Sequence, residues 1–165
     1  MKNFENEKRK SFYGMFPEEL MQECKNVGLP GYLAKQCLNW VYSKAVLDLS
    51  NMRNIGKKNQ NLLSDIFDFS LFYAVQDETS KEENAIKIIS TLHDGNIIES
   101  VILKEKNYNT LCISSQCGCP VDCKFCLTGV VGFKRQLTAA EIVKQVVYAF
   151  SIGKPITNIV FMGMG

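Results

Sequence analysis

The stretch TLCISSQCGCPVDCKFC, residues 110–126, runs from a short strand pattern into Cys117, Cys119, Cys123 and Cys126, four of the chain's seven cysteines. The segment after that loop settles the architecture. TAAEIVKQVVYAFSIGKP (138–155) reads as a helix: Thr138 and Glu141 form a capping box, and Ile142, Val143, Val146, Val147 and Phe150 form an apolar face. Gly153 and Pro155 end it. ITNIVFMGMG (156–165) then reads as a strand covered on both faces through Ile156, Ile159, Val160, Phe161 and Met162. Strand, cysteine loop, helix and strand make one βαβ unit, with a right-handed crossover and a site at the C-terminal ends of its strands.

Upstream, AIKIISTL (85–92) and NIIESVILK (96–104) flank an Asp94-Gly95 turn and predict a β-hairpin. Residues 17–70 read as helical. Pro17, Glu18 and Glu19 suit a first turn, Gly28 and Pro30 break the chain, and Leu33, Cys37, Trp40 and Val41 recur at helical spacing. A third helix is expected over 57–67, with Leu62, Leu63, Ile66 and Phe67 buried. The expected organisation is a helical domain over 1–70, a β-hairpin region over 71–108 and the βαβ unit over 109–165, an α/β chain overall.

Composition sets wide limits. Hydrophobic residues make up 46% and charged residues 22% of 165, near the globular average, which argues against disorder or a fibrous repeat. A net charge of +2 excludes a strongly basic nucleic-acid arm, and Lys57-Lys58 and Lys134-Arg135 read as solvated surface pairs. The charged start MKNFENEKRK has no apolar stretch behind it, and no apolar run approaches the roughly 18–20 residues of a membrane span. A cytoplasmic protein without a membrane is expected. In that reducing compartment clustered cysteines point to metal or chemistry, whereas isolated Cys24 and Cys37 read as buried thiols.

Cys119, Cys123 and Cys126 stand in the spacing CxxxCxxC. A closed structural zinc site takes four ligands, usually as two separated pairs, and no second pair follows here. Cys117, Cys112 or His93 would have to complete it at less typical distances. The other soft-thiolate option is an iron–sulfur cluster, in which three cysteines leave one iron of four open to an outside ligand.

The loop, with Phe125 before its last cysteine, resembles that of the radical S-adenosylmethionine (SAM) enzymes. The longer string LCISSQCGCPVDCKFCLTGVVGFKRQLTAAEIVKQV with NIVFMGMG is similar to the RlmN/Cfr family of RNA adenosine methyltransferases. GLPGYLAKQCLNWVYSK and DLSNMRNIGKK resemble that family's helical accessory domain. The resemblance implies a radical SAM β/α barrel whose first βαβ unit lies in 109–165 and which continues beyond Gly165. It further implies that Cys119, Cys123 and Cys126 ligate a four-iron, four-sulfur cluster. Phe125 would pack near SAM, and Gly163, Met164 and Gly165 would start the strand-end motif that holds it. Cys112 would be the thiol that resolves a covalent enzyme–RNA adduct, and Glu99 a proton acceptor. Cys117 stands where the family usually has a small apolar residue.

The implied reaction is methylation of adenosine carbon 2 in 23S rRNA and tRNA, with carbon 8 as the alternative. One SAM methylates a cysteine, a second yields a 5′-deoxyadenosyl radical, and the methyl-cysteine radical attacks the adenine. Cys112 would then form a disulfide with that cysteine, which no residue of this chain matches, and a donor such as flavodoxin or ferredoxin would supply electrons. A reading of another class is a non-catalytic, metal-bound RNA-binding module.

Overall fold

A computed structural model describes residues 9–80, 84–121, 123–153 and 155–165. The chain divides into two compact units, one running to Ser70 and the other starting at Leu71. Among the described residues no helix is long and apolar enough to cross a membrane.

The first unit contains β1 (Lys10–Ser11), α1 (Pro17–Asn26), α2 (Tyr32–Leu38), α3 (Lys57–Ile66) and β2 (Phe67–Asp68). At the start of α1 the Glu19 carboxylate accepts the Phe16 N–H at 2.7 Å, satisfying one of the amides that a helix start leaves open. Gly28, with φ +76°, turns the chain out of α1. α2 does not run on as a plain α-helix but widens into a π-helical turn over Asn39–Ser43. β1 and β2 pair in parallel, a tie between the unit's ends that short polar-apolar dipeptides do not announce. Phe12 stacks on Phe69 at 4.5 Å and meets Phe67 edge-on at 5.9 Å. Cys24 and Cys37 are buried as expected, and burial pushes the Cys37 thiol up to about 12. Leu63 and Phe67 are core, Phe67 from β2 because the helix ends at Ile66, whereas Leu62 is exposed and Ile66 only half-buried.

The second unit contains β3 (Ala74–Ser80), β4 (Ala85–Thr91), β5 (Ile97–Lys104), β6 (Asn109–Cys112), β7 (Gln116–Cys117), α4 (Leu127–Val131), β8 (Arg135–Gln136), α5 (Ala139–Ser151) and β9 (Asn158–Val160). Five strands form one sheet in the order β3-β4-β5-β6-β9. The first four pair antiparallel, and β9 joins β6 in parallel after the α5 crossover. The hairpin and the βαβ unit therefore share a sheet. β3 has no sequence signal because it is an edge strand of mostly exposed polar residues, with apolar Val75 packing on the core.

Ile86 and Ile88 of β4, Ile102 of β5 and Leu111 of β6 bury one sheet face against α5 around Ala149. Each such side chain contributes on the order of 2 kcal/mol. The capping box is present: the Glu141 N–H donates to Thr138 Oγ1 at 3.2 Å, and the Thr138 N–H to the Glu141 carboxylate at 2.8 Å. The buried side of α5 differs from expectation. Lys144, Gln145, Val147 and Ala149 are buried, whereas Phe150 is exposed and Ile142, Val143 and Val146 are half-buried. β9 is only three residues long and lies at the sheet edge, so Ile159, Phe161 and Met162 are exposed rather than covered.

Candidate cofactor site

The cysteine loop leaves the sheet at its β6 end and is closed at its base. β7 pairs antiparallel with β8, Gln116 opposite Gln136 and Cys117 opposite Arg135. The Lys134 N–H donates to the Cys117 carbonyl and the Leu137 N–H to the Ser115 carbonyl, both at 2.9 Å. At this neck Gly118 has φ +71°, and a Cβ there would overlap the carbonyl oxygen of Gly132. Only glycine permits that approach.

Arg135 is not the solvated surface charge that the sequence suggests. Its guanidinium donates to both Glu141 carboxylate oxygens at 2.8 and 2.9 Å and, through Nε, to Asp94 at 2.7 Å. The hairpin turn, the loop neck and the start of α5 are thus held by one side chain. Burial pushes the Glu141 carboxyl up, but the Arg135 and Thr138 hydrogen bonds outweigh it and hold it below the usual carboxylate range. Asp94 is likewise held low against burial, by Asn96 and Arg135.

All seven cysteines are free. Cys119, Cys123 and Cys126 are half-exposed on the loop, whereas Cys112 and Cys117 are buried. The Cys126 thiol is lowered by hydrogen bonds from the Thr128 N–H and hydroxyl and from the Gly129 N–H at the start of α4. Burial raises Cys112, and also Cys117. Three accessible thiols on one closed loop fit a soft metal as a donor set. Among the described residues no three His, Cys, Asp or Glu side chains are yet gathered closely enough to hold an ion. Phe125 is 94% exposed beside Cys126.

The Gly163-Met164-Gly165 segment lies against the residues that lead into the loop. The Gly163 N–H donates to the Ile113 carbonyl at 3.1 Å, and the Ser115 and Gln116 N–H groups both donate to the Met164 carbonyl. A Cβ on Gly163 would stand 2.5 Å from Ser114 Oγ, and one on Gly165 would overlap Ser115 Oγ. Gly163 is required by its approach to the Ile113 backbone, whose carbonyl carbon and oxygen would lie 2.9 Å from a Cβ, and Gly165 is favoured by its φ of +145°; the segment lies at the loop's base.

Glu99 lies in β5, its carboxylate paired with Lys87 Nζ at 2.7 Å. Ile98, Ser100 and Ile102 of β5 are buried on the α5 side, so Glu99 and Val101 point to the opposite face. Cys112 sits directly across from Val101 and shares that face. The structure therefore puts Glu99 and Cys112 on one side of the sheet, and Gly163–Gly165 beside the cysteine loop. Sequence reading missed Ser114, Gln145 and Arg135. The available signal was a glutamine and an arginine inside an otherwise well-patterned segment.

The fold recurs in a protein of known structure. The crystal structure of a radical SAM methyltransferase from Sphaerobacter thermophilus superposes with a TM-score of 0.86 at 34% identity, over 94% of this chain and 47% of that one. Residues 11–68 match the family described as the ribosomal RNA large subunit methyltransferase N-terminal domain. The chain is 43% identical over 150 residues to the probable dual-specificity RNA methyltransferase RlmN of Thermosipho melanesiensis, and 44% identical over 149 residues to that of Thermotoga maritima. These alignments cover 90% of this chain and 44% and 43% of the relatives. These matches support an N-terminal portion of an RlmN-family protein, and the chain spans less than half the length of these relatives.

Proposed function

We propose that this chain forms the accessory domain and the cluster-binding and SAM-binding start of an RNA adenosine methyltransferase that acts on carbon 2 in 23S rRNA and tRNA. The observation that carries the reading is the three-thiol loop, closed at its neck beside a strand end where Gly163 packs too closely for a side chain. Cys119, Cys123 and Cys126 would hold a four-iron, four-sulfur cluster. When bound, that cluster would supply the electron for reductive cleavage of SAM, drawn from a flavodoxin or ferredoxin.

The chain's own residues position and protect. The neck ladder keeps the two ends of the loop together, so that Cys119, Cys123 and Cys126 would hold the metal from one loop. Gly163, Met164 and Gly165 would receive SAM, and exposed Phe125 would cover it. Glu99, held by Lys87, would accept a proton on the face it shares with Cys112. The Cys112 thiol rests protonated in its buried setting and becomes a nucleophile only on losing that proton. As thiolate it would attack the sulfur of the adduct-bearing cysteine, which no residue of this chain matches, forming a disulfide as that sulfur's bond to the RNA-linked carbon breaks; the carbon keeps the electron pair and takes up a proton as the product methyl group. The same residues serve a carbon-8 methyltransferase equally well.

Anaerobic reconstitution with iron and sulfide, followed by electron paramagnetic resonance with and without SAM, tests the proposal. A cluster signal that shifts on adding SAM supports it. One bound zinc and no cluster signal would overturn it in favour of a non-catalytic RNA-binding module.

A further inference from the structure

Gln145 lies on the buried side of α5 and is 2% exposed. Its Oε1 accepts the Ser114 N–H at 2.9 Å and the Ser100 hydroxyl at 2.8 Å. Its Nε2 donates to the Ser114 carbonyl at 2.9 Å and, more loosely, to the Glu141 carbonyl at 3.4 Å. The carboxamide therefore binds the N–H and the carbonyl of Ser114 as a neighbouring strand would, just where β6 has ended. Ser114, itself fully buried, carries the connection onward. Its hydroxyl donates to the Glu99 carbonyl at 2.7 Å and accepts the Met164 N–H at 2.9 Å. That hydroxyl stands where a side chain on residue 163 would have to go.

A carboxamide in an apolar core is costly unless all its groups are paired, and when they are, it admits one arrangement and disfavours the rest. Here the arrangement links three parts of the chain. The start of α5 is fixed by its capping box and by Arg135, so the helix holds Gln145 at a set height above the sheet. We infer that Gln145 is a positioning residue: acting through Ser114, it sets where Gly163–Gly165 lie against the base of the cysteine loop, and so sets the geometry of the SAM-binding segment. The SAM part of this inference rests on the function proposed above.

Two variants of this chain test it, Gln145→Met, which keeps the side-chain length, and Ser114→Ala, which removes the relay alone. The first readout is residue-resolved amide hydrogen exchange without metal. Gln145→Met is expected to speed exchange of the Met164 and Ser114 amides by at least about tenfold, with Ile88 and Ile102 in the sheet core unchanged. Ser114→Ala should speed Met164 with the core again unchanged, which keeps the test informative if the first variant misfolds. Met164 protection that stays at the parent level, or falls only together with Ile88 and Ile102, overturns the inference.

The second readout is SAM affinity of the reconstituted chain, followed by electron paramagnetic resonance titration. Affinity should weaken at least about fivefold in both variants with the iron content per chain unchanged, the pattern of a displaced binding segment rather than a lost site. Unchanged affinity despite faster Met164 exchange overturns the inference. If the parent chain takes up no cluster, the proposed function fails, and the exchange experiment alone decides whether Gln145 positions the segment.

Discussion

Replacing Gly118 by alanine separates two effects that usually arrive together. Gly118 and Gly132 belong to the same loop and have nearly the same φ, +71° and +70°. An alanine at either site bears a positive-φ penalty of roughly 1–3 kcal/mol, and Gly132, with ψ 167°, lies in a region that only glycine commonly adopts. A Cβ on Gly132 meets nothing within 4 Å, whereas one on Gly118 overlaps the Gly132 carbonyl oxygen and lies 2.9 Å from its carbon. The obstacle is backbone, so no rotamer change relieves it and the neck has to open. Opening gives up the Lys134-to-Cys117 hydrogen bond and the short β7–β8 ladder, at about 1 kcal/mol for each of two or three bonds. The expected loss for Gly118→Ala is then about 4 kcal/mol, against about 2 kcal/mol for Gly132→Ala. For a unit of this size each kcal/mol moves the midpoint by about 4–8 °C, so the two variants should differ by more than about 8 °C. Differential scanning calorimetry should be used, because Trp40, the only tryptophan, belongs to the first unit. Trypsin cutting after Lys124 and Lys134 should be faster in Gly118→Ala alone. Equal midpoints and equal cutting in the two variants would contradict this account of the neck.

Thr138→Ala removes the side-chain cap of α5 and should cost about 1 kcal/mol in chemical denaturation, with Thr138→Ser close to the parent; a neutral Thr138→Ala would count against the role of the cap. Glu141 and Asp94 are held below their ordinary values in the fold, so the unfolded chain binds more protons in acid, and the stability they add is complete at neutral pH and fades as pH falls through the lowered values. Arg135→Met should therefore flatten the pH dependence of stability between about pH 5 and pH 3, and an unchanged acid profile would sink the ion-pair account. Iodoacetamide at neutral pH should modify Cys126 well before buried Cys112 and Cys117, as read by peptide mass spectrometry; the reverse order would show that the loop is not arranged as described.

The features legible in the sequence were those with local causes. α1 and α5 announce themselves through residues within one turn of their starts, Pro17 to Glu19 and Thr138 to Glu141. The β4–β5 hairpin follows from Asp94 and Gly95, which make the turn within their own few residues. The order strand, loop, helix, strand is enough to imply the parallel pairing of β6 with β9, because a helix between two strands returns the chain in the same direction. Other features depend on residues far apart in the chain and emerge only once it is folded. Gly163 and Gly165 could be picked out as a motif, but the reason Gly163 must be glycine is the Ile113 backbone and the Ser114 hydroxyl, about fifty positions away. Helical spacing made Phe150 look like core and said nothing of Gln145, yet Phe150 is exposed while Gln145 finds all its partners on β5, on its own helix and beyond β6. Spacing selects a helix face, but only the groups brought opposite that face determine whether an apolar ring or a fully paired carboxamide is the one buried there.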